Sequence, residues 1–207
     1  MKVSLKLIAG VLAATAMAGG TQAANLIVNG DFTTPSTGGG WSLFASIPGW
    51  VNNNNDTLEV GNDGVYGLGC YSAGCQNLEV NANNFDTVSQ TVTGLIIGQA
   101  YDLSWAYGGR PGGGPQALNV SFGGAALTQD SGGLGVWTLN NFVVVATATT
   151  ETLTFASLDK GGLPSYGNEL TAISLNAVPE PATWALMLIG LGGIGAATRS
   201  RRKLAAA

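Results

Sequence analysis

Thr87-Val88-Ser89-Gln90-Thr91-Val92, Tyr101-Asp102-Leu103-Ser104-Trp105-Ala106-Tyr107 and Leu118-Asn119-Val120-Ser121-Phe122 decide the fold class. In each, apolar and polar side chains alternate, the pattern of a strand with one face in a core. Short runs of similar character, separated by glycine- and asparagine-rich turns, recur at 25–32, 41–51, 57–60, 77–80, 136–147, 151–156 and 170–176. No stretch between 24 and 177 shows a helical period. About nine or ten strands in one body predict an all-β fold, an antiparallel β-sandwich of the jelly-roll kind.

The composition narrows the chemistry. The chain has 207 residues, 45% hydrophobic and only 10% charged, with 32 glycines and no histidine. Without imidazole there is no Ser-His-Asp or Cys-His nucleophile and no His-ligated zinc. The formal charge of −4 conceals an uneven distribution. Lys2 and Lys6 open the chain, and Arg199, Arg201, Arg202 and Lys203 nearly close it. Between Ala24 and Val178 only Arg110 and Lys160 stand against eleven acids, so the body carries −9. Such a surface repels nucleic acid and favours neutral ligands such as sugars, or calcium.

The two ends read as transport signals. Lys2 and Lys6, an apolar run over 5–18 and the small residues around Ala23 and Ala24 have the order of a secretory signal peptide, residues 1–23, cut by signal peptidase after Ala23 or Ala24. At the other end, Val178-Pro179-Glu180-Pro181 precedes an apolar run over 182–198 and then the basic stop Arg199, Arg201, Arg202 and Lys203. Seventeen helical residues span about 25 Å, enough for a thin bilayer, and the arginines place the body outside the inner membrane. Residues 24–177 are then the β-sandwich domain, 178–203 a sorting segment with a transmembrane helix, and 204–207 a tail.

The tail VPEPATWALMLIGLGGIGAATRSRRK resembles the PEP-CTERM sorting signal of Gram-negative bacteria. That resemblance implies an inner-membrane-anchored precursor, recognition of Pro179-Glu180-Pro181 by an exosortase, cleavage near the motif, and transfer to the cell surface or extracellular matrix. It also implies exopolysaccharide or biofilm as the setting. A second resemblance rests on Asn25-Leu26-Ile27-Val28-Asn29-Gly30-Asp31-Phe32, Pro48-Gly49-Trp50, Val88-Ser89-Gln90, Gly109-Arg110-Pro111-Gly112 and Ile173-Ser174-Leu175. These are similar to galactose-binding-like β-sandwiches, which implies a jelly roll and often carbohydrate binding. Many such domains hold a structural calcium. The two positions where that fold places acidic ligands are Thr33 and Thr171 here, so no cofactor is expected unless Asp31 or Glu169 compensates.

Cys70 and Cys75 are the only cysteines, and an even pair in an exported chain reads as a disulfide, with two buried thiols or a redox pair as the alternatives. Sugar sites need an aromatic face and a few fixed polar groups. Tyr101, Leu103, Trp105 and Tyr107 share one strand face and read as core, as do Trp50 and Trp137. Trp41, after three glycines, is either a loop-exposed platform or an edge of the core. Arg110, in a glycine- and proline-rich loop, serves either a ligand or a neighbouring carboxylate. Residues 52–56, Asn-Asn-Asn-Asn-Asp, read as an exposed turn. No acid sits in a catalytic motif and no metal cluster is apparent. The expected function is therefore non-catalytic polysaccharide binding or a structural matrix role, with self-association as the alternative and a carboxylate-dependent glycoside-active enzyme as a remoter one.

Overall fold

The computed structural model describes residues 24–62, 64–71, 74–179 and 190–192. The signal peptide, the apolar sorting helix apart from helical residues 190–192, and the basic stop at Arg199, Arg201, Arg202 and Lys203 lie outside them, as do Ala23, Glu180 and Pro181. Among the described residues no helix is long and apolar enough to cross a membrane.

Eleven strands among these residues form two antiparallel sheets facing each other. The first, in spatial order, is β1 (Trp41–Phe44), β3 (Leu58–Asn62), β4 (Gln76–Glu79), β11 (Asn168–Ala177), β6 (Ala100–Gly109) and β9 (Trp137–Val145). The second is β2 (Val51–Asn52), β5 (Thr87–Thr93), β10 (Thr150–Asp159), β7 (Gln116–Phe122) and β8 (Ala125–Asp130). Apart from the consecutive pairs β3–β4 and β7–β8, neighbours in each sheet are not consecutive in the chain, as β11 between β4 and β6 shows, which is the crossing pattern of a jelly roll.

The alternation in the sequence becomes the inner face. Leu103, Trp105 and Tyr107 of β6 meet Val88 and Val92 of β5, Leu118, Val120 and Phe122 of β7, and Leu153 and Phe155 of β10 in one buried cluster. An aromatic chain runs through it: Phe32 to Trp50 at 5.4 Å, Trp50 to Phe155 at 6.1 Å, Phe155 to Trp105 at 5.8 Å and Trp105 to Phe142 at 5.4 Å between ring centres. The Trp105 indole N–H donates to buried Asp130 at 2.7 Å, so the polar edge of that ring is satisfied inside the core.

Three details differ from the strand pattern read in the sequence. Residues 25–32 form no regular strand, because side-chain amides take the bonds a ladder would supply. Gln90 accepts from the Val28 N–H and donates to its carbonyl, and Asn25 Oδ1 accepts from the N–H groups of Ile27 and Leu175. Asn29 and Phe32 sit at positive φ, and Gly30 is required because a Cβ there would collide with the Ile173 carbonyl. The 41–51 run is divided by a turn at Pro48-Gly49 into β1 and β2, which enter different sheets. β8 has a sequence, Ala-Ala-Leu-Thr-Gln-Asp, with no strong strand signal, and it forms through pairing with β7.

A candidate carbohydrate-binding surface over a buried carboxylate row

On the outer face of the first sheet, strand register aligns three glutamates from distant parts of the chain. Glu59 pairs with Glu79, and Glu79 with Glu169, whose other neighbour is Gly108 of β6. The row continues to Trp137, the partner of Gly108 on β9. All three carboxylates are buried, although this face points away from the core.

They are buried because the connection between β3 and β4 folds back over the sheet. The Tyr66 hydroxyl donates to Glu59 at 2.9 Å, and its ring lies over Gly61, where a Cβ would collide with it. Leu68 packs toward Gly108, and the Trp137 indole donates to the Gly69 carbonyl at 2.6 Å. Tyr71 lies beside Trp137, with ring centres 5.8 Å apart. Cys70 and Cys75 are disulfide-bonded within this flap, with Cα atoms 4.8 Å apart.

Arg110 pairs with the middle member of the row. Its guanidinium donates to Glu79 at 2.7 Å and is sandwiched between the rings of Tyr66, at 4.7 Å, and Tyr166, at 3.8 Å. Its side chain is 18% exposed, whereas that of Glu79 is wholly buried. The sequence left ion pair and ligand contact open for Arg110. The structure gives it the ion pair and leaves one margin of the guanidinium accessible. Cation–π contact on two faces fixes the group in place.

One arginine cannot balance three buried carboxylates. Burial raises Glu169 well above the usual carboxylate range, and the adjacent Glu79 charge raises it further. Glu79 is itself pushed up to about 7 by burial and by Glu59, against the pull of Arg110. The two acids are register neighbours, so burial and their mutual repulsion both favour the protonated form. Asn77 Nδ2 donates to Glu169 Oε2, and the Gly167 N–H donates to Glu79 at 2.6 Å.

The loops around Arg110 are held from beneath. Gln116 Nε2 donates to the carbonyls of Gly113 and Tyr166, and Asn168 accepts from the Tyr107 hydroxyl while donating to Asn81. These buried amides lock 110–115 and 160–167 together. Pro111 stands between them and the flap, within van der Waals range of positions 67 and 135.

The other residues singled out in the sequence are distributed as follows. Trp41 is 54% exposed on the outer face of edge strand β1, opposite Gly61. Its register partner Gly61 is the glycine that the Tyr66 ring covers, and β3, β4 and β11 stand between its strand and β6, which leads to Arg110. Trp50 and Trp105 are core. Trp137 is not: it occupies the outward parity of β9 and is only half-buried, because that strand is apolar at both parities. Residues 52–56 form a turn organised around Asp56, which accepts from Asn83, Asn84 and the Thr57 N–H. The glutamate row, Tyr66 and Tyr166 were not singled out in the sequence, since only the register and the folded-back flap bring them together.

The calcium that the fold resemblance implies does not suit these residues. Between Thr33 and Thr171 the Gln76 carboxamide supplies the bonds: Nε2 donates to the carbonyls of Phe32 and Pro35, and Oε1 accepts from the N–H and hydroxyl of Thr37. The Thr171 hydroxyl donates to the Gln76 carbonyl, and Asp31 is engaged by Thr33. Glu169 is turned into the row under the flap. No group of three or more acids or cysteines among the described residues is placed to hold a metal ion.

Comparison with known proteins agrees with a sorted β-sandwich. Residues 177–203 match the PEP-CTERM protein-sorting motif, which implies export and processing by an exosortase. The chain is 28% identical to halomucin of Haloquadratum walsbyi over 77% of its own length, and it spans 2% of that protein. Among solved structures, part of the arabinose-bound MgGH51 α-L-arabinofuranosidase is similar with a TM-score of 0.50 at 18% identity, over 77% of this chain and 27% of that one. The CBM22-1 xylan-binding domain from Paenibacillus barcinonensis is similar with a TM-score of 0.44 at 13% identity, over 69% of this chain and 88% of that one. At these identities the likeness is one of fold.

Proposed function

We propose that this chain is an exported, exosortase-processed surface or matrix protein whose body binds polysaccharide without cleaving it. The observation that carries this reading is the clamped Tyr66–Arg110–Tyr166 stack, flanked by exposed Trp41 and by the Tyr71–Trp137 pair. Sugar recognition requires aromatic faces for C–H stacking beside a small number of immobilised donors; half-buried Tyr166 and exposed Trp41 and Tyr71 offer the faces, buried Tyr66 holds the Arg110 donor in place, and Gln116 and Asn168 fix the loops. An acidic body leaves neutral glycans unrepelled.

The non-catalytic reading follows from the state of the acids. Glu59, Glu79 and Glu169 are buried under the flap, Glu79 is paired with Arg110, and burial favours the protonated form of Glu79 and Glu169, so none of them is open to a glycosidic bond. Exopolysaccharide or biofilm as the ligand's source is part of the proposal. Titration of the body with soluble polysaccharide, followed by calorimetry, tests it. Tyr166→Ala and Trp41→Ala are expected to weaken binding about tenfold each, since base-free aromatic stacking of this kind contributes on the order of 1 kcal/mol. Undiminished affinity in both variants would remove the site from this surface.

A further inference from the structure

We propose that the turn bearing Ile96 and Ile97 is a membrane-contacting tip that seats the body on the bilayer receiving the sorting segment. The inference rests on the reading that residues 177–203 anchor the precursor in that membrane.

The chain leaves the sandwich with no linker. β11 ends at Ala177, the Val178 N–H donates to the Ala100 carbonyl at 2.9 Å, and Gln99 Nε2 donates to the Val178 carbonyl at 2.8 Å. The body is therefore stitched to the start of β6 up to the residue before Pro179, and the sorting motif continues directly from there. Whatever surface borders Gln99 must lie close to the membrane that the motif enters.

That surface is apolar. Ile96 and Ile97, two and three residues before Gln99, are 66% and 64% exposed, the most exposed isoleucines among the described residues of the body. They are not a loose loop. Gly94 and Gly98 turn the chain at positive φ, Leu95 is buried and its N–H donates to the Thr149 carbonyl, and the Ile96 N–H donates to the Tyr101 hydroxyl at 2.9 Å. Val145, the register partner of Ala100, adds a further exposed apolar side chain at this end. Residues 94–101 and 143–150 contain no charge in a body that carries −9. Glu151, the next acid on that side, is engaged by the Thr147 N–H and hydroxyl and the Ala148 N–H. On the other side the next acid is exposed Asp102 on the outer face of β6, the register partner of Val143, so the turn itself is the uncharged part that can meet an anionic lipid surface with least repulsion.

Two isoleucines would not hold a free protein on a membrane. Tethered through the sorting motif that follows β11, they need only compete at a high effective concentration. β6 runs from this tip to Arg110, so the proposed sugar surface lies about 30 Å away, directed outward from the lipid.

The test uses the full chain, reconstituted in phosphatidylethanolamine–phosphatidylglycerol vesicles, with an environment-sensitive fluorophore on Thr149→Cys or on Ser165→Cys at the opposite end. The expected result is blue-shifted, lipid-quenchable emission at 149 and aqueous emission at 165. Adding Ile96→Ser and Ile97→Ser to the 149-labelled chain is expected to return its emission to the aqueous value without lowering Tm. Equal emission at 149 and 165 in chains that resist carbonate extraction would overturn the tip alone, as would a shift at 149 that survives the serine substitutions. Chains extracted by carbonate would overturn the membrane reading of the tail, and the tip with it.

Discussion

Glu169 is wholly buried beside Glu79, so any proton it loses leaves a charge where one carboxylate already sits. In the unfolded chain both acids titrate near 4.5, whereas in the native state Glu79 is pushed up to about 7 and Glu169 is raised well above the usual carboxylate range. Between 4.5 and those raised values the native protein holds protons that the unfolded chain has released, so stability falls as pH rises. Tm is expected to be higher at pH 5 than at pH 8, and Glu169→Gln, which keeps an amide partner for Asn77, should flatten that slope in calorimetry. A variant with the wild-type slope would place the titration elsewhere. Arg110→Ala should cost roughly 2 kcal/mol at pH 8, by leaving Glu79 charged and unpaired, and less at pH 5, where Glu79 is protonated. Legibility at this scale follows period. Leu103 and Trp105 are correctly read as core because β6 alternates, whereas Trp137, also read as core, faces outward: Phe142 and Val144 are apolar on one face of β9 and Leu139 and Val143 on the other, so the pattern does not set its orientation. The Glu59–Glu79–Glu169 row was invisible, since its members are separated by 20 and 90 residues and only register joins them.

Among elements, the β3–β4 flap and the segment from Phe32 to Thr37 carry the most. The flap owes its course to Tyr66, Leu68 and the Trp137–Gly69 bond, and the Cys70–Cys75 bond closes its far part. Thiol alkylation without reduction is expected to modify neither cysteine. Cys70→Ser together with Cys75→Ser should increase proteolysis within 64–75 and weaken glycan binding while sparing the strand signal in circular dichroism. Unchanged proteolysis would mean that packing alone holds the flap. At the other segment Gln76 makes four bonds where the fold resemblance implies an ion, so neither calcium nor a chelator is expected to move Tm. A calcium-dependent rise of many degrees would refute that. The strands themselves were largely legible as short alternating runs. The exceptions have local causes: 25–32 is bonded by Asn25 and Gln90 side chains, and β8 forms only because β7 offers it an edge.

For the molecule as a whole, the sequence disclosed routing better than activity. A tripartite tail is contiguous and can be read directly, whereas a binding surface assembled from 66–71, 110–111, 137 and 166 depends on which loops a jelly roll brings to one end. The resulting arrangement is polar in the vectorial sense: the chain leaves at the Gln99–Val178 end, and the aromatic and guanidinium groups lie toward the opposite one. The most direct test of polysaccharide binding is co-sedimentation of residues 24–178 with the producing organism's own exopolysaccharide, with and without chelator. The expected result is saturable binding, indifferent to chelator and weakened by Tyr166→Ala. No binding at high protein concentration, with the fold intact, would contradict it and leave a sorted, self-associating structural protein in its place.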